Sequence, residues 1–575
     1  MVRVSAEIQK ETSVRVVFPK IGHFWLDSGL VGLKKILDSV DKDITVFHRG
    51  EEIVLEGAAA SVQEALEKAY NYLVGHYYDI STKKQLDDIG AYNFYYDSKQ
   101  NRFFSFAKKK SCGIAEIIYN KAPRPTGSYI KWASKSDKKV EIEYQGKKMK
   151  RTVVRLPDSH AHLQENMDEF LNKNGLDVTT SGLLVDGPYA VRPKVKIKAD
   201  SEVKKTSGHC YLCGQPSDVL EEASQTTFPL ITGTSGVLSF NSMAQNPEKV
   251  CWKCSFIGKF VPANGFYYTN GDNIFTFFPY ASSLEKMLNV YAPLHEAETK
   301  DPNYFYNFDH GIGGYFHHSF EITFAFLYTL YQKVVKKERG NEEPVVLDWD
   351  RFYALIIDKA VLEFFVMHAR KEGNTFSVKT LWPFRETDYF YRLLHRLEQG
   401  GVDVKEFLRL LVDFNQKNEN TTLVRNRICE RILKKRTILD LVESFVYRAE
   451  KNYIKPIVDF LLIYEEEIRK GDSMTKEEQD TAVALGRRVG TAVARSEGGK
   501  KGDLFALRKV RKKVDFLEQI NRLQFKLGSE FVVPADLYEG RLTDQNFDEF
   551  KQFCMIAALN SYNAAMNESK KQGGN

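Results

Sequence analysis

Four cysteines carry the most specific chemistry in this sequence. They stand as two pairs, His209-Cys210-Tyr211-Leu212-Cys213-Gly214 and Cys251-Trp252-Lys253-Cys254, separated by residues 214–250. Each C-x-x-C places two sulfurs about one turn apart, so that both reach one ion, and Gly214 lets the backbone fold beneath it. Four thiolates form a tetrahedral sulfur shell suited to a structural Zn2+, with no coordination position left for hydrolytic chemistry. Reduced free thiols, a redox pair and an iron–sulfur cluster are the alternatives, and His209 is a competing ligand. The remaining cysteines, Cys112, Cys429 and Cys554, are scattered and read as small buried hydrophobes.

No other constellation reaches that specificity. His160 and His162 form H-x-H, and His317 and His318 are adjacent, but neither pair has a carboxylate at a catalytic spacing. His295-Glu296 lacks the second histidine of H-E-x-x-H, and there is no phosphate-binding lysine loop and no nucleophile elbow. The segment Asp309-His310-Gly311-Ile312-Gly313-Gly314-Tyr315-Phe316 reads as a glycine-mediated turn with core aromatics. Acids scattered in sequence can still converge in space, so an enzyme with a site of another kind stays open here.

Charge points elsewhere. Lys and Arg number 82 against 76 Asp and Glu, a net of only +6. Residues 481–526 alone hold twelve Lys/Arg and four Asp/Glu, a local surplus of the kind a polyanion partner needs. Arg487, Arg488, Arg508, Arg511, Lys512, Lys513, Arg522 and Lys526 are candidate nucleic-acid contacts there. Leu507, Val510, Val514, Leu517, Ile520 and Leu527 recur as one apolar stripe of one helix with these cations mainly off it. Gly486 and Gly490, four apart, let two helices approach closely. A second cluster lies earlier: Lys108, Lys109, Lys110, Arg124 and Lys131, interleaved with Phe103, Phe104 and Trp132, and followed by Lys147, Lys148, Lys150 and Arg151. Cations hold phosphates and aromatics stack on unpaired bases; the ordinary alternative is a solvated lysine surface.

These groups need elements to position them. The predicted fold class is α+β and multidomain: a mixed α/β N-terminal domain over 1–190, an embedded four-Cys zinc module over 191–280, an α-helical domain over 281–470 and a basic helical bundle over 471–575. Val14–Phe18 alternates as a strand, Ile44–Phe47 and Ile53–Leu55 pair around His48-Arg49-Gly50, and Ser61 with Glu64 reads as a capping box for a helix through Val74. Val140–Tyr144 and Lys147–Arg155 form a basic hairpin. Phe352–Arg370, Tyr389–Gln399, Val404–Asn415 and Ile454–Lys470 read as amphipathic helices. The most apolar stretch, Phe320–Tyr331, contains Glu321 and falls short of the ~20 residues of a membrane span. It reads as a buried helix. Glu7 and Glu11 interrupt the N-terminal segment, which lacks the apolar core of a secretory signal, so a cytoplasmic protein with no membrane partner is expected.

The layout resembles the CXXC-CXXC family of CRISPR-associated proteins, the large subunits of type I-B Cascade effector complexes. The resemblance is specific at two places: the paired C-x-x-C motifs, and Gly22-His23-Phe24-Trp25-Leu26-Asp27-Ser28-Gly29-Leu30-Val31-Gly32-Leu33 leading into an apolar helix. It implies a subunit that binds the 5′ end of a guide RNA, reads the short PAM duplex of target double-stranded DNA and helps to open it. Guide pairing supplies the remaining specificity. It also implies contact with Cascade backbone subunits and with the displaced single strand, stabilisation of the R-loop, and recruitment of a separate helicase-nuclease in antiviral defence. Some such systems make a small helical subunit from an internal start. Met474, preceded by Arg469-Lys470-Gly471, is a candidate for one, giving about 100 residues. The competing reading is a stand-alone zinc-ribbon enzyme acting on nucleic acid, such as a nuclease.

Overall fold

Alternation dictates the first strand: Val14, Val16 and Phe18 point inward while Ser13 and Arg15 face solvent, as a half-buried strand requires. A computed structural model of the chain describes residues 13–73, 92–97, 102–107, 128–130, 139–144, 147–152, 158–173, 184–186, 197–199, 206–222, 249–288, 312–314, 316–339, 363–372, 375–449, 453–469 and 474–572. The chain divides into two units, Met1–Phe308 with Leu355–Phe384, and Asp309–Ala354 with Arg385–Asn575. No helix among the described residues is long and apolar enough to cross a membrane. The N-terminal part is mixed α and β, the four cysteines cluster, and the second half is mostly helical.

In the first unit, β1 (Ser13–Pro19), β2 (Thr45–Arg49) and β3 (Glu52–Ala58) form an antiparallel sheet in the order β1-β3-β2. Between β1 and β2 runs α1 (Phe24–Ser39), buried on nearly every side from Phe24 to Leu33. A helix apolar all round belongs inside a core. The following helix, α2 (Ala59–Leu73), starts two residues before Ser61, so that serine lies within the first turn and caps nothing. A four-stranded sheet of order β5-β4-β9-β6 contains β4 (Tyr92–Asp97), β5 (Arg102–Ala107), β6 (Ser128–Ile130) and β9 (Leu184–Asp186). The basic hairpin is present as β7 (Lys139–Tyr144) and β8 (Lys147–Thr152), and α3 (Gln164–Lys173) follows.

A second four-stranded sheet corrects one expectation. It runs in the order β14 (Phe266–Asn270), β15 (Asn273–Tyr280), β16 (Glu363–Glu372), β17 (Thr375–Phe384). The described end of the helix expected over Phe352–Arg370 is therefore strand. The run Phe364-Phe365-Val366-Met367 satisfies either periodicity, and its partner β15 lies far back in sequence. Long-range pairing decides, burying Phe364, Val366 and Met367. Phe365 stacks on Phe24 of α1 at 4.8 Å, and Phe278 meets Trp25 edge-on at 5.2 Å.

The second unit is built from α5 (Ser319–Arg339), α6 (Thr387–Gln399), α7 (Val404–Leu410), α8 (Leu423–Leu433), α9 (Leu439–Ala449), α10 (Lys455–Arg469), α11 (Lys476–Arg495), α12 (Lys501–Lys509), α13 (Lys513–Leu527) and α14 (Phe547–Gln572). The expected buried helix is α5, whose residues Glu321–Tyr331 are all buried. Gly486 and Gly490 do bring two helices close: a Cβ at either would collide with the carbonyl oxygen of Cys554 or Ala558 on α14. The single stripe expected from Leu507 to Leu527 is instead split. Val510 and Lys512 are extended, which ends α12 and resets the helical phase. The core face of α13 is Phe516, Ile520, Leu523 and Leu527, while Val514 is 68% exposed. Each of the two short helices turns its own apolar residues inward, Leu504 and Leu507 on α12 and the four named on α13.

Candidate metal centre

Very short elements bring the sulfurs together. β10 (Gly208–His209) and β11 (Pro216–Ser217) form a hairpin whose tip carries Cys210 and Cys213. Its turn is closed by Cys210 N–H donating to the Gln215 carbonyl (2.9 Å) and Gly214 N–H donating to the Cys210 carbonyl (2.8 Å). Gly214 has φ +70°, a conformation that other residues adopt only with strain. The second pair arises where β12 (Leu220–Glu222) pairs with β13 (Lys249–Cys251) and the chain turns into α4 (Trp252–Gly258). Cys251 is the N-cap of α4 and its sulfur accepts the Cys254 N–H at 3.5 Å. Tyr211 N–H donates to the Lys249 carbonyl (2.9 Å), tying one half to the other.

The four sulfurs all lie within 4.8 Å of one another, and Cys213 and Cys251 are 3.8 Å apart. Zn–S bonds of about 2.3 Å place tetrahedral sulfurs about 3.8 Å apart. Cys210, Cys251 and Cys254 are buried and Cys213 is half-buried. Hydrogen bonding from Cys213, Cys251 and Cys254 holds the Cys210 thiol far below its ordinary range, and hydrogen bonding with Cys210 and Cys213 drives Cys251 and Cys254 far above theirs. Such a group cannot ionise fully unless a cation joins it. The cluster can hold a metal ion, and its all-sulfur donor set fits zinc. His209 is exposed and lies outside the cluster.

The elements beneath the cluster explain the N-terminal glycines. A Cβ at Gly29 would collide with the Ile257 carbonyl of α4, and one at Gly32 with the Phe260 carbonyl just beyond it. Thus α1 lies directly on the helix that follows the second cysteine pair. Lys253, between the two ligands of that pair, donates from Nζ to the Val17 carbonyl of β1 (3.0 Å). Trp252 meets Phe18 edge-on at 5.9 Å. Asp27, also buried, accepts the Ile21 N–H at 3.0 Å and pairs with Lys20 at 3.4 Å. Burial raises its pKa against both partners. Sequence reasoning missed Lys259, whose i, i+4 spacing from Ser255 was the available signal. Its buried ammonium donates to the Ser255 carbonyl (2.8 Å) and hydroxyl (3.0 Å), and burial pulls its pKa down to about 8 against the pull of Glu221.

The candidate nucleic-acid residues fare differently. Lys108, Lys109, Lys110, Arg124 and Lys131 lie outside the described residues, as does Met474's upstream tripeptide from Lys470. Lys148 and Lys150 are exposed on β8, with Lys148 3.6 Å from Glu141. In the second unit Arg508 is committed to structure: its Nη2 donates to Glu443 at 2.9 Å and its guanidinium lies over the Tyr447 ring. Lys513 pairs with Asp544, Arg522 with Glu518 and Lys526 with Asp503. Arg487, Arg488, Arg511 and Lys512 are exposed and make no ion pair among the described residues. His160 and His162 lie with ring centres 6.4 Å apart on an exposed turn, without a carboxylate partner among the described residues. Cys429 and Cys554 are buried, as expected of lone cysteines. Cys112 lies outside the described residues.

Compared with known proteins, the chain matches no protein-family model and no curated protein. The family resemblance therefore stands on the residues named for it.

Proposed function

We propose that the chain is the non-catalytic large subunit of a type I-B CRISPR Cascade complex, a cytoplasmic assembly. In this reading it binds the guide RNA 5′ end, recognises PAM duplex DNA, stabilises the R-loop and recruits a helicase-nuclease. The observation that carries the reading is that the two places of specific resemblance are one packed unit: Gly29 of α1 is seated on the helix that Cys251 caps, and Gly32 on Phe260 just beyond its end. A closed sulfur shell around a zinc ion has no open position, which favours a structural over a catalytic metal. Tagged chain purified from its host is expected to bring down a short RNA of uniform length and several copies of a backbone subunit. Isolation of the chain alone, with magnesium-dependent DNA cleavage, would favour the zinc-ribbon enzyme instead.

The four exposed cations supply the phosphate contacts in the second unit. Reversing Arg487, Arg488, Arg511 and Lys512 to glutamate is expected to abolish single-stranded DNA binding at physiological salt. In pairwise variants, each lost contact lowers the slope of log affinity against log salt by about 0.7. Filter binding across a salt series checks this, and an unchanged slope would remove these residues from the interface.

The reading includes a small subunit started at Met474. Thr475 caps α11 in a reciprocal capping box with Glu478, so a chain begun there opens on a complete helix cap. Such a fragment would lose Arg469, the 3.1 Å partner of Glu549 on α14. Altering the Met474 codon in the native gene should eliminate a product of about 100 residues, detected with a C-terminal tag. Persistence of that product after the change would rule out this start.

A further inference from the structure

The second unit contains a cleft of about 870 Å3 that the proposed function leaves unused. One wall is apolar and carries Phe414, 80% exposed on the connection after α7. The rim is the backbone of Gly313 and Gly314, both left-handed (φ +75° and +83°), with open space where a Cβ at Gly314 would sit. Arg409 lies against this rim: its Nε donates to the Ile312 carbonyl at 2.7 Å, its Nη1 stands 3.9 Å from Glu406, and its side chain stays half exposed. Asn418, also in the lining, has φ +55°, one of two non-glycine residues with positive φ among the described residues.

Charge sets the size of the ligand. Arg425 at the base is neutralised by Glu321, 2.6 Å away. Glu419 also lines the cleft, and among the described residues Arg409 is the one lining cation without a buried carboxylate against it. No cationic surplus remains for a row of phosphates. The parts match a single nucleotide: a ring to stack on, a guanidinium for one phosphate, and a side-chain amide with donor and acceptor for a base edge. The volume lies within the range of small-molecule sites.

We propose that this cleft holds one unpaired nucleotide of a bound single strand, with the base against Phe414, the phosphate at Arg409 and the base edge at Asn418. The proposal rests on the nucleic-acid reading and adds to it a discrete site away from the exposed cations. The test uses the full chain and single-stranded DNA carrying one 2-aminopurine, whose fluorescence falls on stacking. Binding should quench the probe. Phe414→Ala should remove the quench and weaken binding by about tenfold, a typical loss for one stacked base. Phe414→Tyr should keep both. Because Phe414 is so exposed, these variants retain the fold, which an unchanged melting profile checks. Unaltered affinity and quench in Phe414→Ala would overturn the cleft while leaving the wider reading intact. A wild-type chain that binds no single strand at all would overturn both. A free nucleoside monophosphate that occupies the cleft as tightly as the strand would replace the strand with a soluble nucleotide and overturn the assignment.

Discussion

Replacing Cys210 and Cys213 together by serine should release one zinc ion per chain and unfold the middle of the first unit. The magnitude follows from how short the elements are that carry the four cysteines. Its β10–β11 hairpin has two residues per strand, its β12–β13 pair three, and α4 seven residues. Isolated hairpins and helices of such length do not persist in water. A structural zinc contributes about 10–16 kcal/mol of apparent folding free energy in zinc-finger peptides, comparable to the whole stability of a domain. The loss should spread to α1, because Gly29 lies against the helix that follows Cys251 and Gly32 against Phe260 just beyond it. Metal analysis and hydrogen exchange read the result: loss of zinc with loss of protection across residues 206–222, 249–264 and α1. A metal-free variant with wild-type protection there would refute a structural metal.

The second large effect is expected at Glu321→Ala. Glu321 and Arg425 are 0% and 1% exposed and meet at 2.6 Å. Removing one partner of a buried pair strands the other charge and typically costs about 3–5 kcal/mol. Here the carboxylate also accepts the His317 N–H (2.6 Å), the His318 N–H (2.9 Å) and the Thr422 hydroxyl (2.9 Å), so the start of α5 loses its acceptor as well. Among the described residues the guanidinium keeps the Phe316 ring below it and the Leu408 carbonyl at 3.4 Å. Urea unfolding of the full chain should show the transition of the second unit moved to lower denaturant. The volume-conserving double variant Glu321→Leu, Arg425→Met should recover much of the loss, because no charge is left stranded. A single variant as stable as the parent would mean that water reaches Arg425.

Much of this was legible before any coordinates. The alternation of Val14, Val16 and Phe18, the hairpin around Gly50 and the spacing of the cysteines are local signals, and local signals survive into the fold. Gly486 and Gly490 were legible as a close approach, although not the partner, since nothing near them in sequence names α14. What failed were features settled by distant residues. The strand at Phe364–Met367 is chosen by β15, and the break at Val510–Lys512 leaves no mark in the spacing of the apolar residues. Ser61 failed for a local reason: a residue with a good cap signature sat two positions inside a helix that had already begun. The glycines of α1 had a visible pattern, but their purpose emerges only when the Ile257 and Phe260 carbonyls arrive from the cysteine module.

The antiparallel pairing of β15 with β16 sets a schedule for vectorial synthesis. The sheet of the first unit is complete only when Phe384 has left the ribosome, about 100 residues after Tyr280 ends β15. At ~5–20 residues per second that is roughly 5–20 s, during which Phe275, Phe277 and Phe278 stand on an open strand edge while α5 of the other unit is being made. The chain thus passes between its two units three times, after Phe308, Ala354 and Phe384. A nascent chain stalled or truncated before Phe384 would expose an aromatic edge strand, a natural substrate for chaperones, and neither unit can be released intact by a single cut.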